Sequence, residues 1–249
     1  MEGRLPDFLV PGAQKGGTTT LQALLSAHQQ VFLPAGKEVH YFSLHYERGA
    51  HWYGEQFADA VPSQCCGEIT PYYLFHPEAP RRIQELLPGV RLVLLLRDPV
   101  ERAVSQYFHS VRLGLEPLSL EQALLAEPER LAGAEAVLDT PGGRHRSHQE
   151  HSYLGRSRYE QQLERYLRLF RREQLLILRS EDLFVEPGRI WQRLLAFLDL
   201  EFQPLPSGGI RANAGRGEAS GVPLTVRRLL RHHLEPTYQA MASHYGIVW

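Results

Sequence analysis

The chain has only two cysteines in 249 residues, and they are neighbours, Cys65 and Cys66. Adjacent cysteines rarely reach disulfide geometry, so a framework of extracellular cross-links is excluded. An excess of one charge is missing too, since 27 basic and 28 acidic side chains leave a formal net charge of −1. No overall field draws in nucleic acid or an anionic membrane, and any anionic ligand has to be held locally. Long apolar runs are also absent. The most apolar stretch, Val90 to Leu96, contains Arg91 and is far too short to cross a bilayer. A strand-like segment begins within a few residues of Met1, which leaves no space for a secretion signal. These features predict a cytoplasmic protein without a membrane span or a nucleic-acid partner.

What is present is enough apolar residue, 43% of 249, to bury one large core, and residues 1–249 read as a single domain. Asp7 to Val10 is a short apolar run ending in a Gly-rich turn, and Leu21, Leu24 and Leu25 have helical spacing across Thr18 to Ala27. Arg91 to Leu96 is a second buried strand, since continuous aliphatic residues suit a parallel strand covered on both faces. It leads through a charged turn to a helix with Pro99 at its start. A strand at Cys66 to Thr70, helices at Pro77 to Leu87 and Tyr159 to Arg171, and a strand at Gln174 to Arg179 extend the alternation. The pattern predicts an α/β, P-loop-type three-layer domain with a central parallel sheet and helices on both faces. Gly133 to Ser152, rich in Gly, Arg, His and Ser, reads as a long mobile loop.

The turn after the first strand carries Gly12-Ala13-Gln14-Lys15-Gly16-Gly17-Thr18-Thr19-Thr20. A nucleoside-triphosphate loop has Gly, four residues, Gly, Lys and Ser or Thr, with the lysine on the β- and γ-phosphates. Here Gly12 and Gly17 keep the glycine positions, Thr18 stands where the lysine belongs, and Lys15 has moved inside the loop. Amides of Gly16, Gly17, Thr18 and Thr19 are expected to converge on a phosphate at the positive end of the next helix. A short 5′-phosphate arm suits this loop better than a triphosphate. Arg97, at the carboxyl end of the second strand, and Ser105, two helical turns on, form a second candidate anion site. A ligand with both a 5′- and a 3′-phosphate explains the pair.

With these motifs in place, the chain resembles the sulfotransferases that use 3′-phosphoadenosine 5′-phosphosulfate, particularly the heparan sulfate N- and 3-O-sulfotransferase branch and its bacterial relatives. Lys15-Gly16-Gly17-Thr18-Thr19 resembles the family's 5′-phosphosulfate loop, and Leu96-Arg97-Asp98-Pro99 through Ser105 and Tyr107 its 3′-phosphate motif. Lys37-Glu38-Val39-His40-Tyr41-Phe42 resembles an acceptor-side Glu-Val-His-Phe-Phe motif, and Gly67-Glu68-Ile69-Thr70-Pro71-Tyr72-Tyr73 a Glu-Lys-Thr-Pro-aromatic segment. Gly215-Arg216-Gly217 is similar to a Lys-Gly-Arg cofactor loop, and Leu234 to Tyr238 to a closing helix pair. Three departures from the pattern stand out: Ile69 and Ala214 replace lysines, and the cysteine pair of the animal members is missing.

The resemblance implies transfer of a sulfuryl group to a hydroxyl or amine of a glycan or small molecule, leaving adenosine 3′,5′-bisphosphate, without a metal. It implies donor contacts from Lys15, Gly16, Gly17, Thr18, Thr19, Thr20, Arg97, Ser105, Arg216 and Gly217. In-line displacement at sulfur needs a base on one side and positive charge on the other. Glu38 is the expected base, with its pKa raised towards neutrality by a partly dry site. His40 lies on the same side of Glu38 if the segment is extended, and is the alternative base or an acceptor-orienting group. Lys15 is the expected cation on the bridging oxygen. Glu68, Tyr72, Tyr73 and Tyr159 are candidate walls of the acceptor pocket, and Arg144-His145-Arg146-Ser147-His148 a candidate anion-recognising run. Two other readings share the fold or the loop: a P-loop small-molecule kinase, and a non-catalytic nucleotide-binding module.

Overall fold

The computed structural model describes residues 3–206 and 218–249. Five strands form a single parallel sheet: β1 (Phe8–Gly12), β2 (Val31–Phe32), β3 (Cys65–Ile69), β4 (Arg91–Leu96) and β5 (Leu175–Arg179), in the order β2-β3-β1-β4-β5. Sequence order reverses on either side of β1, so a crevice opens beyond the carboxyl ends of β1 and β4. The register across β4 and β5 runs from Leu92 opposite Leu175 to Leu96 opposite Arg179.

Eleven helices occur among the described residues. They are α1 (Thr18–Ser26), α2 (Gly49–Glu55), α3 (Ala79–Leu86), α4 (Pro99–Arg112), α5 (Leu120–Leu131), α6 (Ala134–Asp139), α7 (Arg146–Glu150), α8 (Tyr159–Leu167), α9 (Ser180–Val185), α10 (Pro187–Leu198) and α11 (Leu224–Tyr245). Strand alternation divides them into layers. Leu9, Leu92, Leu94 and Leu96 face one side, against Tyr53, Ile83, Leu163 and Tyr166 of α2, α3 and α8. Phe8, Val10, Val93 and Leu95 face the other, against Leu21 and Leu25 of α1 and Trp191, Leu194 and Leu198 of α10. Both faces of β1 and β4 are therefore apolar, which is why the two runs lack the polar alternation of a half-exposed strand. A third cluster packs α4 on α5 and α11 through Val104, Leu124, Leu230 and Leu234. The three-layer α/β architecture expected from the sequence is the one observed.

Gly133 to Ser152 does not form the expected loop: it holds α6 and α7. His148 is 5% exposed, its ring stacks on Phe75 with centroids 4.1 Å apart, and Tyr72 Oη lies 2.8 Å from its Nδ1. A stretch whose composition suits solvent is ordered here by partners about seventy residues away in sequence. Among the described residues no helix is long and apolar enough to cross a membrane.

Candidate active site

The crevice at the ends of β1 and β4 is a cleft of about 620 Å³. The loop between β1 and α1 forms its floor. Ala13 N–H donates to the Leu95 carbonyl (2.9 Å), and Gly16 N–H to the Ala13 carbonyl (3.0 Å), closing the loop on itself. The Gly16 amide is thus spent inside the loop rather than offered to a phosphate, a correction to the expected set of four amides. Gly16 is needed for another reason. A Cβ there would be driven into the Leu95 carbonyl oxygen, well inside the 3.0 Å that side chains respect. Gly17 caps α1 at φ 95°, a left-handed conformation that glycine reaches without strain, and no side chain caps the helix. Thr18, Thr19 and Thr20 open α1 and line the cleft, so the anion-favouring end of the helix lies there.

Lys15 also adopts a left-handed backbone, φ 66°, and lines the cleft. Burial lowers its pKa below that of a free lysine, and the charges of Arg112, Arg97, Lys37 and Arg102 lower it further. Lys15, Lys37 and Arg97 share the cleft with three carboxylates, Glu38, Glu101 and Glu181, but the leading electrostatic influences on Lys15 come from cations, which favours an anion beside it. Lys37 Nζ donates to Thr19 Oγ1 at 2.7 Å.

The opposite wall belongs to the β4–α4 junction. Arg97, Glu101, Ser105 and His109 follow one another at four-residue spacing and all line the cleft, so one stripe of α4 and its entry turn faces the loop. Asp98 sets the start of this helix: its Oδ1 accepts from Glu101 N–H (2.9 Å) and its Oδ2 from Tyr238 Oη (2.8 Å). Arg97 Nη2 is 3.9 Å from Glu101, whose other oxygen is taken by Arg227, leaving the Arg97 guanidinium loosely held.

Glu38 lines the third side. It does not belong to an extended segment, since Glu38 and His40 both have left-handed backbones, φ 63° and 57°. Two left-handed residues flanking Val39, not strand alternation, bring His40 Nε2 to 3.3 Å from Glu38 Oε2. His40 Nδ1 faces Ser43 Oγ at 3.1 Å, so the ring is oriented from both ends. Burial raises the Glu38 pKa, but the hydrogen bond and charge of His40, then Lys37 and Arg156, outweigh it and hold the carboxyl below its ordinary value. The expected upward shift is not found. The lowered value favours the ionised form of Glu38.

The four expected acceptor-pocket walls lie elsewhere. Glu68 is 1% exposed and accepts from Tyr53 Oη (2.7 Å), Tyr73 Oη (2.9 Å) and Thr70 Oγ1, a buried network that holds β3 to the following turn. Tyr159 is buried, with its hydroxyl donating to the Arg97 carbonyl (2.9 Å), and so braces the Arg97 turn from behind. Tyr72 is buried between His40, with ring centroids 6.1 Å apart, and the Arg156 guanidinium, 4.8 Å from its ring centre. The burial of Tyr72, Tyr73 and Tyr159 follows from large aromatic areas that outweigh one hydroxyl. Pro71 is the member of this segment that reaches the cleft. Ile69 packs with Phe8 and Val10 and brings no cation. Arg216 and Gly217 lie outside the described residues.

Gln14, Lys37 and His109 line the cleft without having been singled out. The spacing of His109 from Arg97 carried the signal, three helical steps of four residues along one face. Nothing local marks Arg156, whose partner Gln14 is 142 residues away.

Residues 5–214 match the sulfotransferase domain family. The chain is similar to the membrane-associated sulfotransferase kil1 of Dictyostelium discoideum, 28% identical over 82% of this chain and 60% of that protein. It is also similar to human heparan sulfate glucosamine 3-O-sulfotransferase 3B1, 31% identical over 80% of this chain and 47% of that one. The chain spans about half the length of these relatives. Among solved structures, a sulfotransferase from Alicyclobacillus acidocaldarius is similar with a TM-score of 0.78 and 25% identity, covering 96% of this chain and 95% of that one. Mouse sulfotransferase SULT7A1, complexed with PAP, shares the fold with a TM-score of 0.53 and 14% identity, covering 98% and 87%.

Proposed function

The chain belongs to the sulfotransferase domain family, and on that premise we propose that it moves a sulfuryl group from 3′-phosphoadenosine 5′-phosphosulfate to a hydroxyl or amine of its acceptor. One observation carries this reading: a single cleft is lined by Lys15 and Thr18 to Thr20 on its floor, Arg97 and Ser105 on one wall, and Glu38 on another. The first group suits a 5′-phosphate arm, the second a 3′-phosphate, and the third a base facing the lysine. Thr18 at the triphosphate-lysine position argues against a kinase, and the presence of Glu38 against a purely nucleotide-binding module.

In this reading the acceptor oxygen or nitrogen bonds to sulfur as the bond from sulfur to the bridging oxygen of the 5′-phosphate breaks. Glu38, ionised at neutral pH, takes the acceptor proton. His40 orients the carboxylate and shares its charge. Lys15 meets the negative charge that grows on the bridging oxygen. The relatives' names make a saccharide hydroxyl the first acceptor class to test. A cytoplasmic location belongs to the same proposal, supported by the unpaired thiols of Cys65 and Cys66.

Thermal unfolding with nucleotides provides the test. Adenosine 3′,5′-bisphosphate at a hundredfold excess over its Kd should stabilise the fold by about 2.7 kcal/mol without Mg²⁺. A preference for ATP with Mg²⁺ would overturn the reading in favour of a kinase. Mass spectrometry of a hydroxyl and amine panel, saccharides included, then identifies the acceptor.

A further inference from the structure

Behind the loop lies a guanidinium that the transfer chemistry above does not use. Arg156 is 4% exposed and has no carboxylate partner among the described residues. Its Nη1 donates to Gln14 Oε1 at 2.5 Å, and its Nη2 to the carbonyls of Gln149 (2.6 Å) and His148 (3.2 Å). Its Nε is buried without a partner. The guanidinium lies 4.8 Å from the centre of the Tyr72 ring. A buried cation met by neutral carbonyls and the rings of Tyr72 and Phe75 is costly to keep, and an apolar side chain would pack there at less expense.

The contact with Gln14 shows where the charge acts. A guanidinium has donors and no acceptor, so the oxygen of the Gln14 amide must face it. The amino group, Nε2, is then turned away from Arg156, and it donates to none of the described residues. Gln14 lines the cleft beside Lys15, with Glu38 and Pro71. Polarised by a cation on its oxygen, the amide becomes a stronger donor at its nitrogen. Arg156 is also among the cations that favour the ionised form of Glu38.

We propose that Gln14 is a catalytic hydrogen-bond donor to a nonbridging oxygen of the transferring sulfuryl group, and that Arg156 is the positioning residue that aims it. The inference rests on the sulfuryl-transfer reading. During the step the acceptor bonds to sulfur, its proton passes to Glu38, and the electron pair of the broken bond stays on adenosine 3′,5′-bisphosphate. Gln14 gains and loses no atom; it holds the group in line while Lys15 serves the bridging oxygen.

The test compares Gln14→Ala, Arg156→Lys and the double variant with the wild type. Binding is read with adenosine 3′,5′-bisphosphate, which lacks the sulfuryl group. Turnover is read with the donor and the first acceptor the wild type takes from the panel. Gln14→Ala should lower kcat on the order of 100-fold, the scale of one lost transition-state donor, with bisphosphate affinity within about twofold of wild type. Lysine cannot reach Gln14 and two carbonyls at once, so Arg156→Lys should lose kcat similarly. The double variant should be no slower than the worse single variant, because both act through one hydrogen bond. Unchanged kcat in Gln14→Ala, additive losses, or equal losses in kcat and bisphosphate affinity would each overturn the assignment. A wild type that binds no bisphosphate and transfers no sulfuryl group would instead remove the proposed function itself.

Discussion

His40 Nε2 stands 3.3 Å from Glu38 Oε2, and the two residues reach each other through left-handed backbones at φ 57° and 63°. As the proposed base, a carboxylate held this way is ionised before the acceptor arrives. Glu38→Gln keeps the shape and removes the proton acceptor. It should lower kcat by about 10²- to 10⁴-fold, with affinity for adenosine 3′,5′-bisphosphate unchanged by titration calorimetry. Full turnover in this variant would remove Glu38 from the base's role.

If Glu38 is the base, as proposed, the same pair should set the acid side of the pH profile. A base whose pKa is depressed stays active as pH falls until that depressed value is passed. The acid limb of kcat/KM should therefore lie below 4.5, the ordinary glutamate value. His40→Gln removes the strongest opposing influence and leaves burial, which raises the pKa. The limb should move to higher pH in this variant. An unmoved limb would mean that another group controls it.

Lys15 makes the complementary prediction on the alkaline side. Its pKa is lowered from 10.5, first by burial and then by neighbouring cations, and a bound anion favours the charged form. Affinity for the bisphosphate should be constant below the lowered pKa and fall as pH rises through it. Lys15→Ala should abolish that decline and lower kcat on the order of 100-fold or more. A decline that persists in Lys15→Ala would assign it elsewhere.

Gly16 tests the loop as a shaped object. A methyl group there meets the Leu95 carbonyl, which belongs to a central strand and cannot yield cheaply. Gly16→Ala should lose about 1 to 3 kcal/mol of stability and bisphosphate binding together, seen in denaturant melts and calorimetry. Gly36→Ala, where no heavy atom lies within 4 Å of an added Cβ, serves as the control and should do neither.

The parts of the site carried by regular elements were legible in the sequence. β1, its loop and α1 announce themselves by an aliphatic run, glycines and helical leucines, and Arg97 with Ser105 by a strand end and a helical repeat. What was not legible depends on contacts between distant residues. Glu68 looks like a pocket carboxylate until Tyr53 and Tyr73 are seen to donate to it. Arg156 looks like a solvated charge before α8 until Gln14, His148 and Gln149 surround it. Glu38 and His40 read as neighbours on an extended segment, and they are neighbours, but by backbone conformations that non-glycine sequence does not advertise.

The most direct measurement follows labelled sulfate from 3′-phosphoadenosine 5′-phosphosulfate into a hydroxyl or amine acceptor, with Glu38→Gln alongside. Label should appear in the acceptor in proportion to adenosine 3′,5′-bisphosphate formed, in the presence of a metal chelator, and be nearly absent with the variant. Bisphosphate-tight protein that moves no label to any acceptor, or equal labelling by Glu38→Gln, would contradict sulfuryl transfer by this cleft.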